Sequence, residues 1–321
     1  MKAIVQDRYG SADVLKLGDI DTPVAGHGEV LIRVGAASAF IGDWHIMTGI
    51  PYAIRLVSGM RAPKQRVRGQ DLAGRIEAVG DDVTQFRVDD EVFGVADGAF
   101  AEYATARTDK LAPKPANLSF EQAATVPTTG CTALQGMRDV GKVRTGQEVL
   151  IIGAAGGVGS FAVQIAKAFG ARVTGVCSTS KVELVRSIGA DEVIDYTRED
   201  IADGTRRYDV IFDTAGNREL SILRRVLTSK GTLILAGGEG GGRWLGMGRV
   251  MRAKAISPFV GQKMTNFLGR PKTQDLLVLK DLIEAGKVTP VIGARYRLSD
   301  VPDAIREVGT GHGRGKVVIT V

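Results

Sequence analysis

The residues with the clearest chemical potential are the glycines of a short segment, 153–159, which reads Gly-Ala-Ala-Gly-Gly-Val-Gly. An apolar run, 148–152, precedes the segment, and an amphipathic run, 160–169, follows it. This order predicts a strand, a glycine turn and a helix. Glycine has no Cβ, so the turn can be tight and phosphate groups can approach the backbone N–H groups at the helix start. The segment therefore indicates a site for a diphosphate.

The residues around this turn predict the element that carries it. Strand-like apolar runs alternate with helical runs at 171–176, 181–188, 192–194, 209–212, 219–227 and 231–236. Such alternation predicts an α/β domain with a doubly wound parallel sheet. The turn has Ala154 where the usual dinucleotide fingerprint has its first glycine, and glycine-rich turns also serve packing alone. Within a doubly wound sheet, however, the turn favours dinucleotide binding.

The residues after the second predicted strand favour NADPH over NADH. NAD sites commonly place an acidic residue there, against the ribose 2′-hydroxyl. Here the strand is followed by Ser178, Thr179, Ser180 and Lys181, and the first acidic residue is Glu183. Hydroxyl and ammonium groups bind a 2′-phosphate through charge-assisted hydrogen bonds, whereas a carboxylate repels it. The same hydroxyls are typical of a helix cap, and both roles can hold together.

The composition indicates an ordinary globular protein of 321 residues, with 44% hydrophobic and 24% charged residues. Only two cysteines are present, no apolar run is long enough for a membrane span, and the first residues do not resemble a signal peptide. We therefore expect a cytoplasmic protein with no membrane partner. The net charge is +6, with basic runs at 61–68 and 243–254. Because no aromatic-rich nucleic-acid motif accompanies them, we interpret these runs as solvated surface rather than a nucleic-acid site.

The first third of the chain has a different pattern. Short strand-like runs at 30–34, 74–79, 91–95 and 99–104 are separated by Gly, Pro and Asp, which predicts a compact β-rich domain. Helical runs at 119–126 and 131–140 lead into the nucleotide-binding region. The last residues, 296–321, have a strand, helix, strand pattern that can rejoin the first domain.

Segments spread over almost the whole chain resemble a known family. They are 43–45 (Asp-Trp-His), 69–74 (Gly-Gln-Asp-Leu-Ala-Gly), 90–94 (Asp-Glu-Val-Phe-Gly), 98–103 (Gly-Ala-Phe-Ala-Glu-Tyr), the glycine turn, 212–216 (Phe-Asp-Thr-Ala-Gly) and 311–318 (Gly-His-Gly-Arg-Gly-Lys-Val-Val). In this order they resemble the zinc-independent medium-chain dehydrogenase/reductases of the quinone oxidoreductase (zeta-crystallin-like) type. The resemblance implies a Rossmann domain, 122–258, inserted in a GroES-like catalytic domain formed by 1–121 and 259–321.

The resemblance also implies that no zinc is bound. The positions of the zinc ligands in metal-dependent relatives correspond here to Phe40, Gln70 and Thr128, which are not usual ligands at such a site. The cysteine lobe of structural-zinc relatives is missing. The Asn-Pro pair usual before Asp43 in quinone reductases is replaced by Phe40 and Ile41, which makes the pocket more apolar.

The residues that the resemblance assigns to NADPH fall into four groups. Gly156, Gly157 and Val158 are expected at the diphosphate, Ser178, Lys181 and Tyr196 at the 2′-phosphate, Thr132 and Gly237 at the nicotinamide, and Arg314 and Lys316 on a strand that approaches the cofactor. Each also has a purely structural interpretation, such as a cap or a packed side chain. The loop 237–242 is expected to lie near the nicotinamide or the substrate.

The implied reaction is hydride transfer from NADPH to a quinone or an α,β-unsaturated carbonyl. His45, Tyr52 in a predicted substrate loop, 50–60, and water are the candidate proton sources. One alternative is an enoyl-thioester reductase that uses 61–68 as a basic rim. Another is a cofactor-sensing or nucleic-acid-binding protein with little catalysis. The resemblance further implies a homodimer, for which we expect pairing of Rossmann edge strands at 232–236.

Overall fold

The computed structural model describes residues 1–237, 247–311 and 313–321. The strands in chain order are β1 Lys2–Val5, β2 Lys16–Asp19, β3 Glu29–Ala39, β4 Asp71–Val79, β5 Glu91–Val95, β6 Tyr103–Arg107, β7 Leu111–Pro113, β8 Glu148–Ile152, β9 Arg172–Cys177, β10 Glu192–Asp195, β11 Tyr208–Asp213, β12 Leu227–Leu235, β13 Lys263–Asn266, β14 Ile292–Arg297 and β15 Lys316–Thr320.

The α-helices are α1 Ile41–Thr48, α2 Arg55–Ser58, α3 Phe120–Ala124, α4 Pro127–Gln135, α5 Gly157–Ala168, α6 Val182–Ser187, α7 Leu220–Val226, α8 Met247–Ile256, α9 Thr273–Glu284 and α10 Val301–Gly309. No helix within the described ranges is long and apolar enough to cross a membrane. Three features named above lie outside those ranges: loop residues 238–242, basic residues 243–246, and His312.

The chain divides into two compact units. Unit 1 comprises residues 1–131, 270–285 and 290–321, and unit 2 comprises residues 132–269 and 286–289. The predicted boundaries at 121/122 and 258/259 lie about ten residues before the two main divisions. The first division falls inside α4. The sequence of α4 contains Pro127 and Gly130, but the helix is continuous through both, so neither residue marks this boundary.

Unit 1 is organised around a mainly antiparallel sheet. The strand order over the described residues is β14-β15-β3-β4-β5-β7, and β6 also pairs with β3. The last strand, β15, pairs with the far end of β3, with Val317 opposite Ala39 and Thr320 opposite Ala36. The chain end therefore completes the sheet that the first third begins. The predicted strand at 99–104 begins later, at Tyr103, because residues before it leave the ladder to form a single bridge with β1.

Unit 2 contains the predicted doubly wound sheet. Its parallel strands have the order β10-β9-β8-β11-β12-β13 among the described residues, so the order reverses between β8 and β11. Ligands of such sheets bind beyond the carboxyl ends of the strands at that reversal. The central strand β8 is nearly all buried, which explains its uninterrupted apolar sequence. The expectation of a Rossmann-type α/β fold is confirmed.

The expected dimer strand, 232–236, is not at the edge of this sheet, so that prediction is wrong. β12 pairs with β11 on one side and with β13 on the other, where Thr232 lies opposite Lys263 and Leu235 opposite Asn266. Its backbone groups are therefore already paired on both sides. The last strand on this side of the described sheet is β13, whose four-residue sequence is too short and too polar to be recognised as a strand from its pattern.

Candidate functional site

The glycine turn has the predicted geometry. β8 ends at Ile152, and α5 begins at Gly157 with Gly156 as its N-cap. Gly153 has a φ of +82°, in the left-handed region that favours glycine. A Cβ on Gly159 would overlap the carbonyl oxygen of Gly153 and lie 2.8 Å from its carbonyl carbon. Glycine thus lets the first turn of α5, whose N–H groups lack intrahelical partners, lie close to the loop and face an anion.

The structure brings the three residues predicted for the 2′-phosphate to one end of two neighbouring strands. Ser178 and Lys181 follow β9, and Tyr196 follows β10, which pairs with β9 in parallel. Ser178 is half-buried and caps a 3-10 turn without a side-chain capping bond. Tyr196 is 48% exposed, and its N–H donates to the carbonyl oxygen of Cys177 at 3.1 Å. Their positions fit a common role at one phosphate.

A carboxylate at the same end of the sheet was missed. Asp195, the last residue of β10, lies opposite Cys177. It accepts hydrogen bonds from the hydroxyls of Thr179 at 2.6 Å and Thr197 at 2.7 Å. These bonds, with that from Thr179 the largest effect, hold the pKa of Asp195 below its usual value. The sequence signal was the end of the third predicted strand, where only the next residue, Tyr196, had been predicted at the cofactor.

The residues predicted for the nicotinamide lie on segments that pack tightly within unit 2. A Cβ on Gly237, directly after β12, would overlap the carbonyl oxygen of Thr214 and lie 3.1 Å from the nitrogen of Ala215. Thr132, in α4, is packed against Gly269, whose Cβ would lie 2.7 Å from the Cα of Thr132. Both positions are therefore sterically restricted. The rest of the predicted loop, 238–242, lies outside the described residues.

A buried ion pair holds the neighbouring segment, 213–216. Asp213, the fully buried last residue of β11, accepts hydrogen bonds from the N–H groups of Ala215 at 3.2 Å and Gly216 at 3.0 Å. Its second oxygen accepts from Arg249 of α8 at 2.5 Å. This carboxylate therefore shapes the backbone against which Gly237 packs. From the sequence, Arg249 is predicted only as one residue of the basic run 243–254, which was interpreted as solvated surface.

The two candidate proton donors lie in unit 1. His45, in α1, is half-buried, and its Nδ1 lies 2.8 Å from the carbonyl oxygen of Ile50. A carbonyl only accepts, so Nδ1 carries the hydrogen and Nε2 is the acceptor in the neutral ring. Burial lowers the pKa of His45, which keeps the ring neutral at neutral pH. Tyr52 is 49% exposed, with the Arg55 guanidinium 5.0 Å from its ring centre.

Comparison with known proteins places these features in a family. The model of the alcohol dehydrogenase GroES-like domain matches residues 26–116, and that of the zinc-binding dehydrogenase matches residues 188–319. The chain is 35% identical to the NADPH-dependent alkenal/one oxidoreductase, chloroplastic, of Arabidopsis thaliana, over 99% of this chain and 79% of that protein. The chain belongs to the medium-chain dehydrogenase/reductases of the quinone oxidoreductase type. The expected family and enzyme class, an oxidoreductase, are confirmed.

Solved structures agree with this family assignment. The quinone oxidoreductase from Coxiella burnetii matches with a TM-score of 0.88 and 30% identity, over 100% of this chain and 99% of that one. A mycobacterial protein complexed with NADPH matches with a TM-score of 0.85 and 27% identity over 100% of both chains. The oxidoreductase is thus a member of an NAD(P)H-dependent family, with a GroES-like region in the first part of the chain.

The positions that correspond to zinc ligands have other partners in this oxidoreductase. Phe40 is the N-cap of α1, and Gln70 immediately precedes β4. Thr128 donates its hydroxyl to Asp71 at 2.5 Å. The Lys316 ammonium lies 5.4 Å from the centre of the Phe40 ring. An aromatic ring, an amide and an engaged hydroxyl do not form a zinc donor set. The described residues contain no group of three or more His, Cys, Asp or Glu that could hold a metal.

A buried charge cluster lies behind these positions in unit 1. It consists of Asp43 (2% exposed), Asp71 (0%), Lys316 (2%) and Arg68 (6%). Burial raises the pKa of Asp43 to about 7, raises the pKa of Asp71 and lowers that of Lys316. The Lys316 ammonium lies 3.7 Å from Asp71 and 3.3 Å from the carbonyl oxygen of Ala39. Lys316 is therefore engaged inside unit 1, and its contact with a cofactor remains a prediction. Arg314, two residues earlier, is exposed.

Proposed function

We propose that this oxidoreductase uses NADPH to reduce quinones or α,β-unsaturated carbonyls and that it does so without zinc. The observation that carries the proposal is the glycine turn of β8 together with the hydroxyl and ammonium groups of Ser178 and Lys181 at the end of β9. The turn suits a diphosphate, and these groups suit a 2′-phosphate. The relatives named as an alkenal/one oxidoreductase and a quinone oxidoreductase support the substrate class.

The preference for NADPH over NADH rests on which charges face this end of the sheet. Ser178, Lys181 and Tyr196 supply a hydroxyl, an ammonium and a half-exposed ring. The nearby carboxylate of Asp195 accepts two threonine hydroxyls and a backbone N–H. A carboxylate has about four acceptor sites, and three of those of Asp195 are occupied in this way, so it has little capacity left to accept the 2′-hydroxyl of NADH.

In the proposed reaction, bound NADPH supplies a hydride from C4 of its nicotinamide. The backbone at 156–158 would hold the diphosphate, and Thr132 and Gly237 would hold the nicotinamide. His45, with Nδ1 bound to a carbonyl, presents Nε2 as an acceptor and has no second proton to give at neutral pH. We therefore infer that the reduced product takes its proton from water or from the hydroxyl of Tyr52.

A zinc ion is not needed for this substrate class. Quinones and enones already accept a hydride, whereas oxidation of a simple alcohol needs an acid to stabilise the alkoxide. The hydroxyl of Thr128 is engaged with Asp71, and Phe40 offers only carbon atoms at a ligand position. The zinc-free proposal thus rests on the chemistry of these side chains.

We also propose a homodimer and a cytoplasmic location. Within the described sheet, β13, Lys263–Asn266, pairs only with β12, so we propose that its other side pairs with a second copy. One of its backbone groups, the N–H of Met264, already donates to the Ser257 hydroxyl at 3.0 Å. The two cysteines, Cys131 and Cys177, are buried and form no disulfide, which suits a reducing compartment.

The test of the cofactor assignment is a titration of NADPH and NADH against the wild-type protein and Lys181→Ala. Loss of a charge-assisted hydrogen bond is expected to weaken NADPH binding about 10- to 100-fold and to leave NADH binding unchanged. Lys230→Ala, which removes another exposed lysine of unit 2, is the matched control. A wild-type protein that binds NADH more tightly than NADPH would contradict the assignment of Ser178 and Lys181.

The test of the activity is NADPH oxidation with 1,4-benzoquinone, 9,10-phenanthrenequinone or a 2-alkenal, each with and without a zinc chelator. We expect turnover that the chelator does not change. Tight NADPH binding with no turnover would exclude a broad reductase and favour a cofactor sensor. Turnover restricted to an enoyl-thioester would assign the narrower substrate class, for which the exposed cations Arg61 and Lys64 would form the rim.

A further inference from the structure

Three large apolar side chains are exposed on one short loop of unit 1. Leu56 is 71% exposed, Val57 79% and Met60 66%. The first two lie in α2, and Met60 follows it after one intervening glycine. Single exposed apolar residues are common on protein surfaces, but a group of this size within five residues is typical of a surface that binds something.

The loop that carries these side chains is held in place on both sides. The Arg55 guanidinium lies between two rings, 4.5 Å from the centre of Tyr9 and 5.0 Å from that of Tyr52, and its Nε donates to the carbonyl oxygen of Gly49 at 3.0 Å. The hydroxyl of Tyr9 donates to the carbonyl oxygen of Gly59 at 2.5 Å. Because these contacts fix the backbone that carries the three side chains, the loop backbone loses little entropy when a ligand binds.

The same loop is continuous with a residue of the candidate site. Nδ1 of His45 is hydrogen-bonded to the carbonyl oxygen of Ile50, at the start of the loop, at 2.8 Å. The N–H of Gly49 donates to the carbonyl oxygen of His45 at 2.9 Å. A ligand whose reacting group lies at His45 can therefore extend along the loop toward Leu56.

We propose that Leu56, Val57 and Met60 bind the alkyl chain of the substrate, so that the preferred acceptors are enones or quinones with an unbranched chain of several carbons. This inference rests on the proposed function and narrows its substrate class. The surface offers methyl, methylene and thioether groups and no hydrogen-bonding atom of its own side chains, which suits a saturated hydrocarbon.

The test compares kcat/KM for 2-butenal, 2-hexenal, 2-octenal and 2-decenal, which share one reacting group and differ only in chain length. In the wild-type protein we expect kcat/KM to rise about twofold per methylene, which corresponds to half of the transfer free energy of full burial. The rise from 2-butenal to 2-decenal is then about 60-fold. In the triple variant L56S/V57S/M60S the dependence on chain length is expected to disappear.

A matched triple variant controls for the loss of exposed apolar surface in general. L17S/V24S/V88S removes three other exposed apolar side chains of unit 1, which are 45%, 87% and 52% exposed. We expect this variant to keep the wild-type dependence on chain length. NADPH affinity and thermal unfolding temperature, compared for all three proteins, establish that the substitutions leave the fold intact.

The outcomes separate this inference from the proposed function. A wild-type protein that reduces none of the alkenals and no 1,4-benzoquinone removes the proposed function. A wild-type protein that reduces 1,4-benzoquinone but shows no dependence on chain length, or a triple variant that keeps the dependence, overturns the alkyl-chain surface alone. The alkyl-chain proposal is also overturned if the triple substitution abolishes only binding to phosphatidylglycerol vesicles, or only self-association. The surface would then contact a membrane or a second copy.

Discussion

The buried carboxyl of Asp43 gives the sharpest test of how the charge cluster is organised. Asp43 is 2% exposed, and one oxygen accepts the N–H of Phe40 at 3.0 Å. Among the described residues, no donor reaches its other oxygen, Oδ1. Burial raises the pKa of this carboxyl from the ordinary value of 3.8 to about 7, with the charge of Asp71 acting in the same direction. Compared with the unfolded chain, the folded protein therefore favours the protonated form of the Asp43 carboxyl.

The magnitude follows from the size of this shift. A rise of about three pKa units corresponds to about 4 kcal/mol, since one unit is worth about 1.4 kcal/mol. The stabilising effect of the bound proton is complete below the unfolded pKa of 3.8 and is lost as the pH rises to about 7. Asparagine has the shape of the neutral carboxyl and does not titrate. The free energy of unfolding of Asp43→Asn, relative to wild type, should therefore increase by about 4 kcal/mol between about pH 4 and about pH 8.

The assay is urea unfolding of both proteins across this pH range, with Asp19→Asn as the control. Asp19 is exposed, and its hydrogen bond from Lys2 lowers its pKa. A lowered pKa stabilises the fold above the unfolded value, so Asp19→Asn should lose stability relative to wild type as the pH rises. A difference between Asp43→Asn and wild type that stays level or falls with rising pH would refute the reasoning.

Two further substitutions test contacts at the glycine turn and at Thr128, which corresponds to a zinc-ligand position in metal-dependent relatives. Gly159→Ala places a Cβ against the carbonyl oxygen of Gly153. It should destabilise the protein by about 1–3 kcal/mol and weaken NADPH binding by roughly tenfold or more. The control is Gly248→Ala, where the added Cβ meets nothing within 4 Å and neither effect is expected. Thr128→Val removes the hydroxyl that lowers the pKa of buried Asp71, so urea unfolding should show a loss of about 1–3 kcal/mol that is larger at neutral than at acidic pH. The exposed Thr84→Val is its control, and an equal loss in both would contradict the second prediction.

The parts of the fold that could be predicted are those set by local pattern. The run 148–152 followed by glycines and an amphipathic stretch specified β8, the turn and α5, because each element depends on residues within one or two turns of one another. The pattern at 296–321 likewise predicted α10 and β15, whereas its first strand, β14, spans Ile292–Arg297 and so lies mostly before the predicted range. Strand β13 was not recognised because four mostly polar residues carry no periodic signal.

The candidate site likewise contains some residues that a local pattern places and others that it does not. The residues of the proposed phosphate-binding region, 153–159 and 178–181, are close in sequence to the strands they follow, so their placement follows from the pattern. Asp195 was missed because its position beside Cys177 depends on the pairing of β10 with β9. The tautomer of His45 depends on a carbonyl oxygen five residues away, which only the folded loop brings within hydrogen-bonding distance.

The sequence alone thus determined the doubly wound sheet and the glycine turn, because apolar periodicity and glycine conformation act over short distances along the chain. The family followed from the resemblance of several segments in a fixed order. Only the tertiary structure decided that Asp43, Asp71 and Lys316, far apart in sequence, share one buried cluster. It also decided that β13, and not β12, ends the described sheet. The physical reason is that burial, charge pairing and strand order arise from contacts between distant segments, and no local pattern specifies them.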